Sequence, residues 1–180
     1  SWGAANTQLP RIAPSAYADG LNSPSLPGAP NARDISNLIA AQSESVENDR
    51  FISSIWFQWG QFLDHDIVRS FSLDRTLPRE PFPINDQMLF TRSAFDRSTG
   101  INTPREHTNF LSSYIDGTAV YGTTVAESAS LRAKVGGRMA VTMTDSGELL
   151  PTAPGSTSFV AGDIRVNENI TLAAMHTLWV

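Results

Sequence analysis

The chain contains no cysteine. Disulfides, thiolate metal sites and a cysteine nucleophile are thereby excluded, while the redox compartment stays open because secreted proteins can also lack cysteine. Basic charge is scarce as well: 13 Lys and Arg against 18 Asp and Glu leave a net charge of −5. The scattered cations form no basic stripe of the kind that replaces counterions on nucleic acid. No apolar run reaches the ~18 residues of a membrane span, and Ser1-Trp2-Gly3 lacks the charged-then-apolar start of a signal peptide. A chain of 180 residues is long enough to close one core and bury roughly 70% of its unfolded surface, so one unit is the expectation.

Residues 1–34 are rich in Pro, Gly, Ser and Asn with no regular apolar period, which predicts an extended arm. A short helix is expected from Ile35 to Gln42. From Asp49 to about Val68, apolar residues at 52, 55, 56, 59, 62, 63 and 67 follow the helical period. Between Ser70 and Asn109 the pairs Leu77-Pro78, Glu80-Pro81 and Phe82-Pro83 preclude long helices, leaving an irregular excursion anchored by Phe82, Ile84, Leu89 and Phe90. Thr124-Val125-Ala126-Glu127 has capping-box spacing and opens a helix expected to run through Leu131 and stop at Gly136-Gly137. A hairpin follows, Met139–Thr144 with Glu148–Leu150 around Asp145-Ser146-Gly147. A last helix starts at Asp163 or Asn167, and its apolar pattern is still running at Val180, which reads as a piece of a larger protein. The fold class is mainly α, with long loops and one short β-hairpin.

The most informative run is Trp59-Gly60-Gln61-Phe62-Leu63-Asp64-His65-Asp66, an imidazole between two carboxylates inside an apolar helix. Charges there are costly without partners. At ~100° per residue, Gln61 and His65 stack on one face while Asp64 and Asp66 diverge. If His65 lines a pocket, Asp64 borders it and Asp66 turns toward whatever packs behind. One candidate for that neighbour is the segment from Ser112 to Thr118, where oxygen-bearing residues recur at every second position. Extended, residues 112, 114, 116 and 118 face one way. Together with Asp66 they offer a hard cation the six to eight oxygens calcium takes; the bland alternative is an Asx/ST turn with ordinary hydroxyl caps. In a third segment, Gly162–Asn169, helical spacing places Arg165, Glu168 and Asn169 on one side, where a helix-start Asp and a surface ion pair would be the ordinary explanation.

Together these segments resemble the animal-type haem peroxidases, the group of myeloperoxidase, lactoperoxidase and peroxidasin. The resemblance begins at Trp2-Gly3-Ala4-Ala5-Asn6-Thr7 and passes through Tyr17-Ala18-Asp19-Gly20, Asn31–Asn37 and Gln61–Asp66. It continues through Tyr114–Gly122 and Gly162–Asn169 to Met175-His176-Thr177-Leu178-Trp179. It implies that residues 1–180 are the N-terminal portion of one peroxidase catalytic domain, 1–34 as the arm and 35–180 as the distal haem side and calcium site. It also implies that His65 is the distal histidine, Gln61 its neighbour and Arg165 the catalytic arginine. Asp64 and Glu168 fall on the carboxylates that are ester-linked to haem b in this family. Asp66, Ser112, Tyr114, Asp116 and Thr118 fall on its calcium ligands.

Two departures matter. Asn169 stands where myeloperoxidase has a sulfur-linked methionine, so the third haem link is expected to be missing and hypochlorite production is put in doubt. The lack of cysteine fits a bacterial or divergent member. The resemblance also implies secretion, and a proximal histidine supplied by the remainder of the domain. Of the other histidines, His107 is expected at the surface and His176 to pack internally.

The implied reaction reduces hydrogen peroxide and oxidises a halide, thiocyanate or phenol. Neutral His65 suits the proton transfers and Arg165 the charge stabilisation. Adjacent carboxylates should keep His65 protonated, so calcium on Asp66 and an ester at Asp64 are expected to keep it neutral. The rival is an inactive peroxidase-like adhesion or assembly domain with a structural calcium. A non-haem hydrolase using residues 64–66 is disfavoured, since adjacent helix positions do not meet at one ion.

Overall fold

Helices carry most of the regular structure, in the order β1 (Thr7–Gln8), α1 (Ala32–Ala40), α2 (Ile55–Ile67), β2 (Glu80–Pro81), β3 (Leu89–Phe90), β4 (Thr108–Asn109), α3 (Thr118–Tyr121), α4 (Val125–Ser130), β5 (Thr142–Thr144), β6 (Gly147–Leu149), a 3-10 turn (Ile164–Asn167) and α5 (Ile170–Thr177). The computed structural model describes residues 3–23, 30, 32–71, 80–81, 89–90 and 93–180. The expected anchors Phe82 and Ile84 lie outside them. The chain divides into two units. One comprises Ser1–Asn6, Ile52–Arg69 and Asn109–Val180; the other comprises Thr7–Phe51 and Ser70–Thr108. Among the described residues no helix is long and apolar enough to cross a membrane.

In the first unit, α2 begins at Ile55, later than its apolar period predicts. The periodicity starts earlier, but Phe51 sits at φ +51, inside a turn in which its N–H reaches the Asn48 carbonyl. A left-handed residue interrupts a right-handed helix whatever its side chain. Leu172 and Met175 of α5 pack against Phe62 of α2, and Val120, Leu131 and Met139 complete that core. A second cluster joins Leu150, Val166 and Ala173. Burying each of the larger side chains contributes about 1.5–3 kcal/mol.

The capping box at α4 forms as its spacing predicts: Thr124 accepts the Glu127 N–H, and Glu127 accepts the Thr124 N–H. The helix ends at Ser130, however, short of Gly136-Gly137. Ala140 donates to the Leu131 carbonyl and Ala133 to Arg138, while Lys134 sits at φ +62, so the chain has already doubled back. The hairpin β5–β6 pairs Thr142 with Leu149 and Thr144 with Gly147, slightly shorter than expected. Helix α3 was not legible in the sequence. Its first N–H groups are satisfied from a distance by the Asp66 carboxylate, which accepts from Gly117 at 3.0 Å and Ala119 at 2.9 Å.

The expected continuous last helix is broken into two pieces. Asp163 caps the 3-10 turn by accepting the Arg165 N–H, and Asn169 caps α5 by accepting the Leu172 N–H. Gly162 joins this segment to α3, donating to Val120 while Asp163 donates to Ala119. A Cβ at Gly162 would collide with the Thr118 carbonyl oxygen and the Gly122 nitrogen, so backbone meets backbone there without room for a side chain.

In the second unit, α1 starts at Ala32, three residues before the expected Ile35. Asp19 accepts N–H groups from Leu21, Asn22 and Ser23, and these bonds hold its carboxyl well below the ordinary carboxylate range. Arg105 is fully buried over the Phe95 ring and donates to Asn22. Strands β2 and β3 pair Glu80 with Phe90 and Pro81 with Leu89, giving the proline-rich excursion a short antiparallel ladder.

Candidate active site

Two distant segments of the first unit meet at His65, which is 4% exposed although both sequence neighbours are carboxylates. Helical geometry separates those neighbours: Asp64 is exposed, and Asp66 is buried with both oxygens on α3 N–H groups. Nε2 of His65 lies 3.6 Å from Oε2 of Glu168. Gln61, one turn earlier on α2, donates from Nε2 to the same carboxylate oxygen at 3.0 Å and accepts from Asn169 Nδ2 at 2.9 Å. Gln61, His65, Glu168 and Asn169 therefore meet, although about a hundred residues separate the two pairs.

Arg165 meets α2 by a different route. Its Nη2 donates to the carbonyls of Val68 and His65 at the end of α2, at 2.8 and 3.3 Å. There it also lies at the negative end of the helix dipole. Nε and Nη2 are held by the two oxygens of Asp163, at 3.0 and 2.7 Å. Asp163 is fully buried, and Nη1 of Arg69 stands 3.9 Å from the same Oδ2 that Arg165 Nη2 engages. Burial alone would raise the Asp163 pKa, but the Arg165 bonds and charge outweigh it and hold the carboxyl below its ordinary value.

Asp163 is the functional residue that sequence reasoning missed. Its place two residues before an arginine was read as a helix start; nothing local shows that its carboxylate also grips that arginine's side chain.

The protonation of His65 departs from expectation. Adjacent carboxylates were expected to raise its pKa. Burial and the nearby Arg165 charge instead lower it, overcoming Asp163, Glu168 and Asp64. Burial and Arg165 thus act in the direction of the neutral imidazole. Its Nδ1 is buried with no hydrogen-bond partner among the described residues.

His176 packs internally, as expected. It is fully buried, lies edge-on to Phe62 at 5.0 Å between ring centroids, and uses Nδ1 on the Leu172 carbonyl at 2.9 Å. His107 departs from its expected surface role: it is half-buried, with Nδ1 on the Ala94 carbonyl.

Burial lowers the His176 pKa below its ordinary value of 6.5. The unfolded chain consequently takes up a proton at higher pH than the folded chain does. Stability is full above 6.5 and falls as the solution is acidified through the folded-state pKa. Thermal denaturation between pH 8 and pH 5, a range chosen to bracket the histidine value, should show this decline. His176→Gln should flatten it; an unchanged slope would assign the decline to other groups.

The 112–118 segment is a looped turn rather than the expected extended stretch. Ser112 Oγ donates to Asp116 at 2.6 Å and accepts the Tyr114 N–H, while Asp116 accepts the Thr118 N–H. Burial works against the Asp116 carboxylate, but these bonds prevail and lower its pKa. This much is the Asx/ST turn weighed against a metal site. Beyond the turn itself, Thr118 Oγ1 is buried beside the Asp116 carboxylate. That hydroxyl, the carboxylates of Asp66 and Asp116 and neighbouring carbonyls form an all-oxygen donor set whose chemistry fits calcium. Beside His65 the carboxylates of Asp64 and Glu168 are both exposed, Glu168 at 48%, and their chemistry suits ester links to a haem.

The comparisons agree with one another. The family model described as animal haem peroxidase matches residues 1–180. Peroxidasin of Drosophila melanogaster is 31% identical over 238 aligned residues, covering 100% of this chain and 16% of its own length. Thyroid peroxidase of Canis lupus familiaris is 28% identical, with 99% of this chain and 26% of that protein covered. Among solved structures, peroxidase A from Dictyostelium discoideum superposes with a TM-score of 0.78 at 26% identity, covering 98% of this chain and 40% of that one. The chain thus spans well under half of each of these relatives.

Proposed function

The chain belongs to the animal haem peroxidase family, and on that premise we propose that it carries the distal half of a site that reduces hydrogen peroxide and oxidises a halide, thiocyanate or phenolic donor. The remainder of the peroxidase domain would supply the proximal histidine, since His176 is fully buried in this chain's own core against Phe62. The observation that carries this reading is the juxtaposition of a buried His65 with Arg165, Gln61 and Glu168.

Haem b, when bound, supplies the redox chemistry; Asp64 and Glu168 would hold it, as esters, at its edge. Nε2 of neutral His65 accepts a proton from one peroxide oxygen and returns it to the other as water leaves. Burial and the Arg165 charge lower the His65 pKa, which suits the imidazole to act as a base. Arg165 stabilises the negative charge that develops on the departing oxygen. Asp163 and the α2 carbonyls engage Nε and Nη2, which leaves Nη1 for the substrate. Asp66, Asp116, Ser112, Thr118 and the Tyr114 carbonyl would hold calcium, bracing the loop behind α2. The same family reading implies secretion.

The test is haem content followed by single turnover. The full-length protein should show a Soret band that survives acid extraction and changes on mixing with hydrogen peroxide. A protein that takes up no haem, or whose haem is unchanged by peroxide, would favour the inactive adhesion or assembly reading.

A further inference from the structure

Asn169 stands between the 3-10 turn and α5 and uses both arms of its amide. Oδ1 accepts the Leu172 N–H at 2.8 Å, and Nδ2 donates to Gln61 Oε1 at 2.9 Å. Gln61 continues the relay, donating from Nε2 to Glu168 Oε2 at 3.0 Å. Amide oxygen and nitrogen are easily interchanged when a side chain stands alone. Here neither end of the relay is reversible. The Leu172 N–H is a backbone donor, so the Asn169 atom facing it is oxygen. A carboxylate only accepts, so the Gln61 atom facing Glu168 is nitrogen. The link between them must then run from the Asn169 N–H to the Gln61 oxygen.

We infer that Asn169 is a positioning residue, which holds the Gln61 oxygen and thereby turns the Gln61 Nε2–H donor into the space in front of His65, to meet a small anion or a peroxide oxygen. This rests on the peroxidase reading and adds a residue to it. Gln61 Nε2 and His65 Nε2 share a neighbour, Glu168 Oε2, at 3.0 and 3.6 Å, so both nitrogens address the same space. An ester at Glu168 would be a poorer acceptor than a carboxylate, which leaves the Gln61 N–H for the substrate. A reversed Gln61 would present its carbonyl oxygen there instead and repel an anion.

Two substitutions separate this role from the capping role. Asn169→Ser keeps a side-chain oxygen for the Leu172 N–H but loses the second arm. Asn169→Asp keeps the cap and offers Gln61 only an acceptor, which draws Nε2 away from the pocket. The probe is fluoride binding to the ferric full-length protein, read from the Soret and charge-transfer bands. Both variants should weaken fluoride binding, Asn169→Asp by about tenfold or more, the size expected for one hydrogen bond to an anion. In a Gln61→Leu background, Asn169→Ser should add nothing further. Fluoride affinity unchanged in Asn169→Ser, or the same loss with and without Gln61, overturns the inference.

A second measurement requires no haem. Denaturation of wild type, both single variants and the Gln61→Leu/Asn169→Ser double variant should show coupling between the two positions. Additive losses would overturn the inference even if the wild type never acquires haem, an outcome that by itself counts against the peroxidase reading.

Discussion

Replacing His65 with alanine should slow the reaction of the haem-loaded protein with hydrogen peroxide by about 10²–10⁴-fold, the usual contribution of a positioned acid–base group. Its neighbours offer no substitute base. Asp66 is held by the Gly117 and Ala119 N–H groups, and Arg165 is a guanidinium without an acceptor. Among the described residues the carboxylate within 4 Å of Nε2 is that of Glu168, and an ester there would remove its basicity. The measurement is stopped-flow absorbance with peroxide in excess, at a pH above the ordinary histidine value so that the wild-type imidazole is neutral. Haem content must be measured alongside, because truncating a buried side chain also leaves a cavity. A variant that binds haem normally and reacts within a few-fold of wild type would remove His65 from the mechanism.

Asp163→Ala should lower the unfolding free energy by about 3–5 kcal/mol, the cost of removing one partner from a buried ion pair. The carboxylate is fully buried, accepts the backbone and side-chain donors of Arg165, and faces Arg69. Without it two guanidinium groups confront each other with no anion between them, and the 3-10 turn loses its cap. Arg165 would then be free to leave the α2 carbonyls, so the peroxide rate should fall together with stability. Asp163→Asn keeps an oxygen for the Arg165 N–H and should lose less. Chemical denaturation of both variants provides the measurement. An Asp163→Ala protein within 1 kcal/mol of wild type, below the usual cost of breaking such a pair, would show that the carboxylate does not anchor the arginine.

Much of this site was legible in the sequence because its chemistry depends on short spacings. Helical rotation alone separates Asp64 from Asp66 across His65, and the structure keeps that separation, one carboxylate exposed and the other buried. The Thr124–Glu127 box and the Asp145-Ser146 turn are likewise local hydrogen-bond patterns, and both formed. Helix boundaries were less legible. Phe51 and Lys134 adopt left-handed conformations that their side chains do not announce, and each one displaces an expected helix end.

The misread features share a different cause. Helix α3 exists because a carboxylate on α2 supplies its cap, and the last helix breaks because Asp163 and Asn169 each cap a separate piece. The pKa of His65 is shifted for the same reason. Its covalent neighbours argued for a proton, while its surroundings in space, burial and Arg165, argue against one.

Residue identity and short-range rotation thus determined which groups can act, how Asp64 and Asp66 diverge, and the mainly helical class. The tertiary structure alone decided that Asp163 holds Arg165, that Asn169 bonds to Gln61, and that burial and Arg165 lower the His65 pKa. Those three outcomes depend on desolvation and on partners distant in the chain, and both arise only when separate segments pack together.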